Sequence, residues 1–188
     1  MPGPKSPRPP IYQLKVTLKG ARPPIWRRIQ VPSNVTLARL HRVIQVSMGW
    51  YNAHLHQFTI SGVGYGEPSP DDWESVKDER RFRLSAVVRT EKTKFLYDYD
   101  FGDGWDHEIL VEKILPNEAG LEQAICLKGA RACPPEDVGG VWGYASFLET
   151  IGDPDHPEHD EMLEWVGGDF DPEAFDAEAT TKALKSRL

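Results

Sequence analysis

A chain of 188 residues with 39% hydrophobic content and six Trp holds enough apolar side chain for one folded domain, which excludes a disordered tail. Its net charge of −7 conceals a segregation, because the first 66 residues carry nine Lys and Arg and no acid, while all 29 acids come after them. No apolar run approaches the ~20 residues of a bilayer span, and the opening MPGPKSPRPP lacks the apolar stretch of a secretion signal. A cytoplasmic protein with no membrane partner and with both cysteines reduced is therefore expected.

Residues 1–10 read as a flexible, proline-rich lead. In IYQLKVTLKG, Tyr12, Leu14, Val16 and Leu18 alternate with polar residues, which predicts a half-buried strand. ARPPI is a turn, and WRRIQV is a second strand of the same hairpin. Leu37, Leu40, Val43, Ile44 and Met48 recur at helical spacing, with Thr36 as the N-cap and Gly49 as the stop. His41 beside that stripe reads as a packing residue. HLHQFTI is a third strand with His54 and His56 on one face, a pairing that can offer two imidazoles to a metal. The following Gly- and Pro-rich stretch to Arg81 reads as a long loop, and FRLSAVV as a single helical turn entered at Ser85.

KTKFLYDYDF and WDHEILVEKI both alternate, so they predict two strands joined at Gly102-Asp103-Gly104. A three-residue loop pairs Phe101 with Trp105 and keeps all aromatics on one side, so that register is expected. It places Asp98, Asp100, Asp106 and Glu108 together on the other side, and His107 among the aromatics. Clustered carboxylates repel unless they are solvated, protonated or bridged by a cation. The expected resolution is structural, with arginines of the basic N-terminal part as partners. A Mg²⁺- or Ca²⁺-type site is the alternative, and acid–base chemistry a third. The candidate functional cluster is thus Asp98, Asp100, Asp103, Asp106, His107 and Glu108. Further metal candidates are His54, His56, Cys126 and Cys133, although Cys126 and Cys133 lack the spacing of a zinc knuckle. The candidate anion-binding set is Arg22, Arg27, Arg28, Arg39 and Arg42.

CLKGARACPPEDVGGVWGY carries too much Gly and Pro for a long regular element. Three helices follow: YASFLETIG ending at Gly152, a segment with Pro157 in its first turn and a stop at Gly167, and a last one capped by Asp171. His156 and His159, three residues apart, read as part of a solvated capping turn rather than a ligand pair.

LHRVIQVSMGWYNAHLHQF, YDYDFGDGWDHEI, GARACPPEDVGGVWGYASFL and DPDHPEHDEMLEWVGGDFDPEAFD, in this order, resemble the plasmid ORF-3-like family first named from a root-inducing plasmid. The resemblance covers residues 11–176 and leaves 177–188 as a C-terminal helical tail. It implies a single α+β roll-like domain with an antiparallel or mixed sheet, one long N-terminal helix and a C-terminal helical segment. It implies no established catalytic residues. The family's recurring positions map to Asp98, Asp100, Phe101, Gly102, Asp103, Trp105 and His107. Further along they map to Cys133, Pro134, Pro135, Glu136, Asp137, Gly139, Gly140, Gly143 and Tyr144. Relatives often carry the label of TnpR-type passenger proteins of insertion elements. A resolvase, however, needs a nucleophilic Ser or a late Tyr among clustered arginines, and neither set is present. The expected function is that of a binding or accessory protein of plasmids or mobile elements, leaning away from catalysis. The alternatives are a metal-dependent enzyme and a DNA-transaction protein. The partner is a protein or an anion, with nucleic acid not favoured, and the one cofactor envisaged is a divalent metal.

Overall fold

The computed structural model describes residues 8–68 and 76–188. Ser6, most of the proline-rich lead and the middle of the expected long loop lie outside these residues. Among the described residues eight strands form one mixed sheet in the order β5-β4-β3-β6-β7-β1-β2-β8, and five α-helices accompany it. Strands β1 (Ile11–Leu18) and β2 (Trp26–Pro32) form the predicted hairpin, with Leu14 opposite Ile29. Helix α1 (Leu37–Met48) starts at Thr36, whose side chain accepts from Arg39 N, and ends at Gly49 with φ +103°. Glycine is suited to that left-handed stop because it has no Cβ to clash. The apolar stripe of α1 joins Leu14, Val16 and Ile29 in a single core.

The stretch expected to be loop after the third strand contains further sheet. Strand β3 (His56–Ile60) turns back into β4 (Val63–Gly66), and β5 (Lys77–Asp78) pairs parallel with β4. A short α2 (Leu84–Val87) follows, one residue earlier than its sequence signal. Strand β8 (Ile125–Ala130) was also hidden by Gly129 and by polar residues, and it closes the far edge against β2.

Strands β6 (Lys94–Tyr99) and β7 (Trp105–Leu115) form the aromatic hairpin, but its loop is longer than expected. Tyr99, not Phe101, faces Trp105, and Asp98, not Asp100, faces Asp106. The parity of the faces survives a two-residue change, so Phe95, Tyr97, Tyr99, Trp105 and His107 are all buried. Phe101 and Asp100 leave the strand. Asp100 takes φ +55°, and its Oδ1 accepts from Gly102 N at 3.0 Å, which holds the turn. Left-handed backbone is tolerated by Asp because its short side chain can bond locally.

The expected arginine partners of the acidic face are corrected as well. Lys19 lies 3.8 Å from Asp106, and Lys94 lies 3.0 Å from Glu108. Arg28 instead makes a bidentate pair with Glu112, at 2.6 and 2.8 Å. Burial, and then the Asp106 carboxylate directly across the hairpin, push the Asp98 carboxyl up to about 6.

Helix α3 (Gly140–Gly152) begins at the Gly pair ahead of the expected segment, and α4 (His159–Val166) begins two residues after Pro157. Asp171 caps only a turn, and α5 (Ala177–Arg187) is capped by Asp176. Helix α5 packs on β8 and α1 and buries Leu184.

Candidate functional site

Three loops converge at one end of the aromatic hairpin. The first runs from α1 into β3 and carries His54, the second is the β6–β7 turn with Asp100, and the third precedes α3 and carries Asp137. Ligand atoms of these three residues all lie within 4.8 Å of one another. His54 Nε2 is 3.1 Å from Asp137 Oδ1 and 3.6 Å from Asp100 Oδ2. The Nε2 atom is shielded from solvent, yet neither oxygen meets it in hydrogen-bond geometry. Three ligand atoms this close can share one cation, and the 3.1 Å separation of His54 and Asp137 is also that of an ordinary ion pair. Four ligands at ~2.1 Å from a metal are separated by about 3.4 Å along the edge of a tetrahedron.

Each of these side chains is held by neighbours. Asp100 uses Oδ1 on its own turn, and its backbone N donates to Leu55 O at 2.9 Å, so Oδ2 is left facing His54. Asp137 sits at φ +61° beside Glu136. Glu136 Oε1 accepts from Tyr99 Oη at 2.6 Å and from Tyr51 N at 3.1 Å. Asp103 Oδ2 accepts from Gly139 N at 3.0 Å, which ties the hairpin turn to the start of α3. A side chain at Gly140 would strike Asp103 O at 2.3 Å, so that close approach requires glycine. Trp50 Nε1 donates to Pro134 O at 3.1 Å, which fixes the other end of the Asp137 loop.

A cleft of about 890 Å³ adjoins His54 and is also lined by His41, His56, Glu79, Arg42 and Phe101. The His41 and His56 rings stack with centroids 3.4 Å apart. His56 Nε2 is 2.9 Å from the buried Glu79 carboxylate. His41 Nε2 faces Asn52 Oδ1, an acceptor, so that nitrogen carries the proton. Tyr97 Oη then donates to His41 Nδ1 at 2.8 Å while it accepts from Gln45 Nε2. Burial, with His56 adjacent, pushes the His41 imidazole down to about 3, in keeping with a neutral ring.

The sequence-derived candidates are therefore divided. Asp100 and His54 meet, joined by Asp137, which residue type alone did not single out. Asp103 acts beside them through Gly139. Asp98, Asp106 and Glu108 point to the other face of the hairpin. His107 is enclosed in the core, with Nδ1 3.3 Å from Tyr97 O and its ring edge-on to Trp50. Cys126 and Cys133 do not join the histidines. Both thiols are pushed up by burial and lie near the Arg27 charge. The arginines form no common surface. Arg27 is buried and donates to the carbonyls of Ser47, Trp26 and Ala130. Arg28 is paired with Glu112, and Arg39 donates to the Leu188 carbonyl. Arg22 is exposed between β1 and β2, and of these five only Arg42 lines the cleft, together with Arg80. His156 and His159 engage backbone groups of their own turn and of Thr150.

Fold and site together define an α+β protein with a histidine-lined cleft beside a compact His-Asp-Asp cluster. The chain belongs to the plasmid pRiA4b ORF-3-like protein family, whose model matches residues 10–179. It is 44% identical over 176 residues to a Sinorhizobium fredii (strain NBRC 101917 / NGR234) protein described as uncharacterized protein y4hQ, covering 93% of this chain and 90% of that one. A crystal structure of a protein of unknown function, MM3350 from Methanosarcina mazei Go1, superposes with a TM-score of 0.83 at 43% identity. That likeness spans 90% of this chain and 97% of the other. No helix of the described residues is long and apolar enough to cross a membrane.

Proposed function

We propose that this protein binds a divalent transition-metal ion through His54, Asp100 and Asp137 and uses it to capture a small ligand in the adjoining cleft. The observation that carries this reading is the His54 Nε2 atom, buried without a hydrogen bond between two carboxylate oxygens at 3.1 and 3.6 Å. A buried polar atom left unpaired costs free energy, and a cation at that point would satisfy all three groups. One imidazole with two carboxylates suits Zn²⁺, Mn²⁺ or Co²⁺ better than Ca²⁺, which prefers an all-oxygen shell. Three protein ligands leave coordination positions open, as in catalytic zinc sites. That openness favours a second reading in which the bound ion also activates water.

The plasmid in the family's description supports a role as an accessory protein of plasmid-borne genes. Two unpaired cysteines support a reducing, cytoplasmic setting. A nucleic-acid role has less support, because Arg27, Arg28 and Arg39 are committed within the fold. Cobalt titration tests the proposal. Wild-type protein should bind one equivalent of Co²⁺, with visible d–d bands that His54→Ala abolishes. No cobalt spectrum, or an unchanged one in the variant, would reject it.

A further inference from the structure

The loops that supply His54 and Asp100, and the helix start that follows Asp137, present the most exposed large apolar side chains among the described residues. Tyr51 is 81% exposed, Leu55 67%, Phe101 61% and Trp142 85%. Single exposed apolar residues are ordinary on a protein surface, but a group of them marks a binding site. Leu55 directly follows His54, and Phe101 directly follows Asp100. Both line the cleft of about 890 Å³. Tyr51 is anchored through its backbone to Glu136, next to Asp137. Trp142 lies in the first turn of α3, whose Gly140 abuts the hairpin turn at Asp103. Two of these four exposed side chains, Leu55 and Phe101, thus flank the cleft beside the polar cluster, each next in sequence to one of its residues.

Resting on the metal-binding reading above, we propose that the ligand of this cleft is an anionic chelator carrying an apolar, preferably aromatic, body. Its oxygen-bearing head, of carboxylate or hydroxamate type, occupies the open positions on the ion. On the cleft wall Glu79 is engaged by His56 and Arg80 by Asp78, so the anionic head is met by the Arg42 guanidinium and opposed by Glu67. Its apolar body lies against Leu55 and Phe101 and removes their surface from water. The cleft falls within the ~300–1,000 Å³ range of small-molecule sites, so head and body fit together inside it. A polar metabolite without an apolar body would leave those side chains wet.

Two hydroxamates that share one head and differ in body provide the test. Zinc-loaded wild-type protein is titrated with acetohydroxamate and with benzohydroxamate, and zinc binding is measured separately on the same samples. Benzohydroxamate should bind about tenfold tighter, through the apolar surface it covers. The double variant Leu55→Ser/Phe101→Ser should hold zinc as tightly as wild type and bind both hydroxamates alike. Equal affinities in wild type, or a preference that persists in the double variant, would overturn this inference and leave the metal site standing. A wild-type protein that takes up no zinc would overturn both.

Discussion

Tyr99 Oη donates to Glu136 Oε1 at 2.6 Å, and this bond fastens the hairpin that carries Asp100 to the loop that carries Asp137. The same hydroxyl accepts from Ala53 N at 3.0 Å, next to His54. One phenol therefore touches the supports of all three proposed ligands. Groups that orient metal ligands in this way typically control affinity by 10–100-fold. Tyr99→Phe should keep the ring packing, lose ~1–2 kcal/mol of stability and weaken zinc binding about tenfold. Competition against a chromophoric chelator measures the second effect. Unchanged affinity would mean that the three loops are held by other contacts.

The hairpin makes a paired prediction. Trp105 is wholly buried, whereas Phe101 is 61% exposed. Trp105→Ala should cost ~3–5 kcal/mol in urea or guanidinium melts, while Phe101→Ala should stay within ~0.5 kcal/mol. A large loss at Phe101 would restore the shorter loop that pairs it with Trp105.

Acid sensitivity follows from the enclosed His107. Burial pushes its imidazole down to about 4 from an ordinary 6.5, so the native state prefers the neutral ring. Above pH ~6.5 the ring is neutral in both states and its contribution to stability is complete. Below that, the unfolded chain takes up the proton first, so stability falls until about pH 4, by a total of ~3 kcal/mol. His41 adds to the slope in the same direction. Urea melts between pH 7.5 and 4 should show the decline, and His107→Gln should flatten it. An equally steep decline in the variant would place the effect elsewhere.

Gly140 tests the approach of α3 to the hairpin turn. It has φ +67°, and a Cβ there would meet Asp103 O at 2.3 Å. Gly140→Ala therefore faces both left-handed strain and a backbone clash, and should cost at least about 2 kcal/mol. It should also weaken zinc binding, because Asp137 lies three residues away. Normal stability and affinity would show that α3 can retreat without moving the loop.

Much of the architecture could be read from side-chain periodicity. Alternation placed Tyr97, Tyr99, Trp105 and His107 on one face, and helical spacing placed Leu37 to Met48 on another surface of the same core. Loop length could not be read that way, because three- and five-residue connections keep the same parity. The deciding feature is the left-handed turn at Asp100, which Asp tolerates without any pattern in the neighbouring residues. Strands β4 and β8 were hidden because Gly64, Gly66 and Gly129 weaken the strand signal, although β4 pairs on both sides and β8 closes the sheet edge. The site was half visible. His54 and Asp100 drew attention by residue type, but Asp137 comes from a loop some 40 residues further on. It is brought near by the Asp103–Gly139, Tyr99–Glu136, Tyr51–Glu136 and Trp50–Pro134 bonds. Its one sequence signal was membership of a recurring family motif, CPPED.

Metal-dependent thermal stability tests the central claim most directly. Protein stripped with EDTA and then reloaded with Zn²⁺ at ~100 times its dissociation constant should gain ~2.7 kcal/mol, or about 5–10 °C in Tm for a chain of this size. Asp137→Asn and His54→Ala should show no such gain, while Asp98→Asn, on the opposite face of the hairpin, should respond as wild type does. The account is contradicted if wild-type protein melts at the same temperature with and without zinc, or if His54→Ala and Asp137→Asn are stabilised as much as wild type.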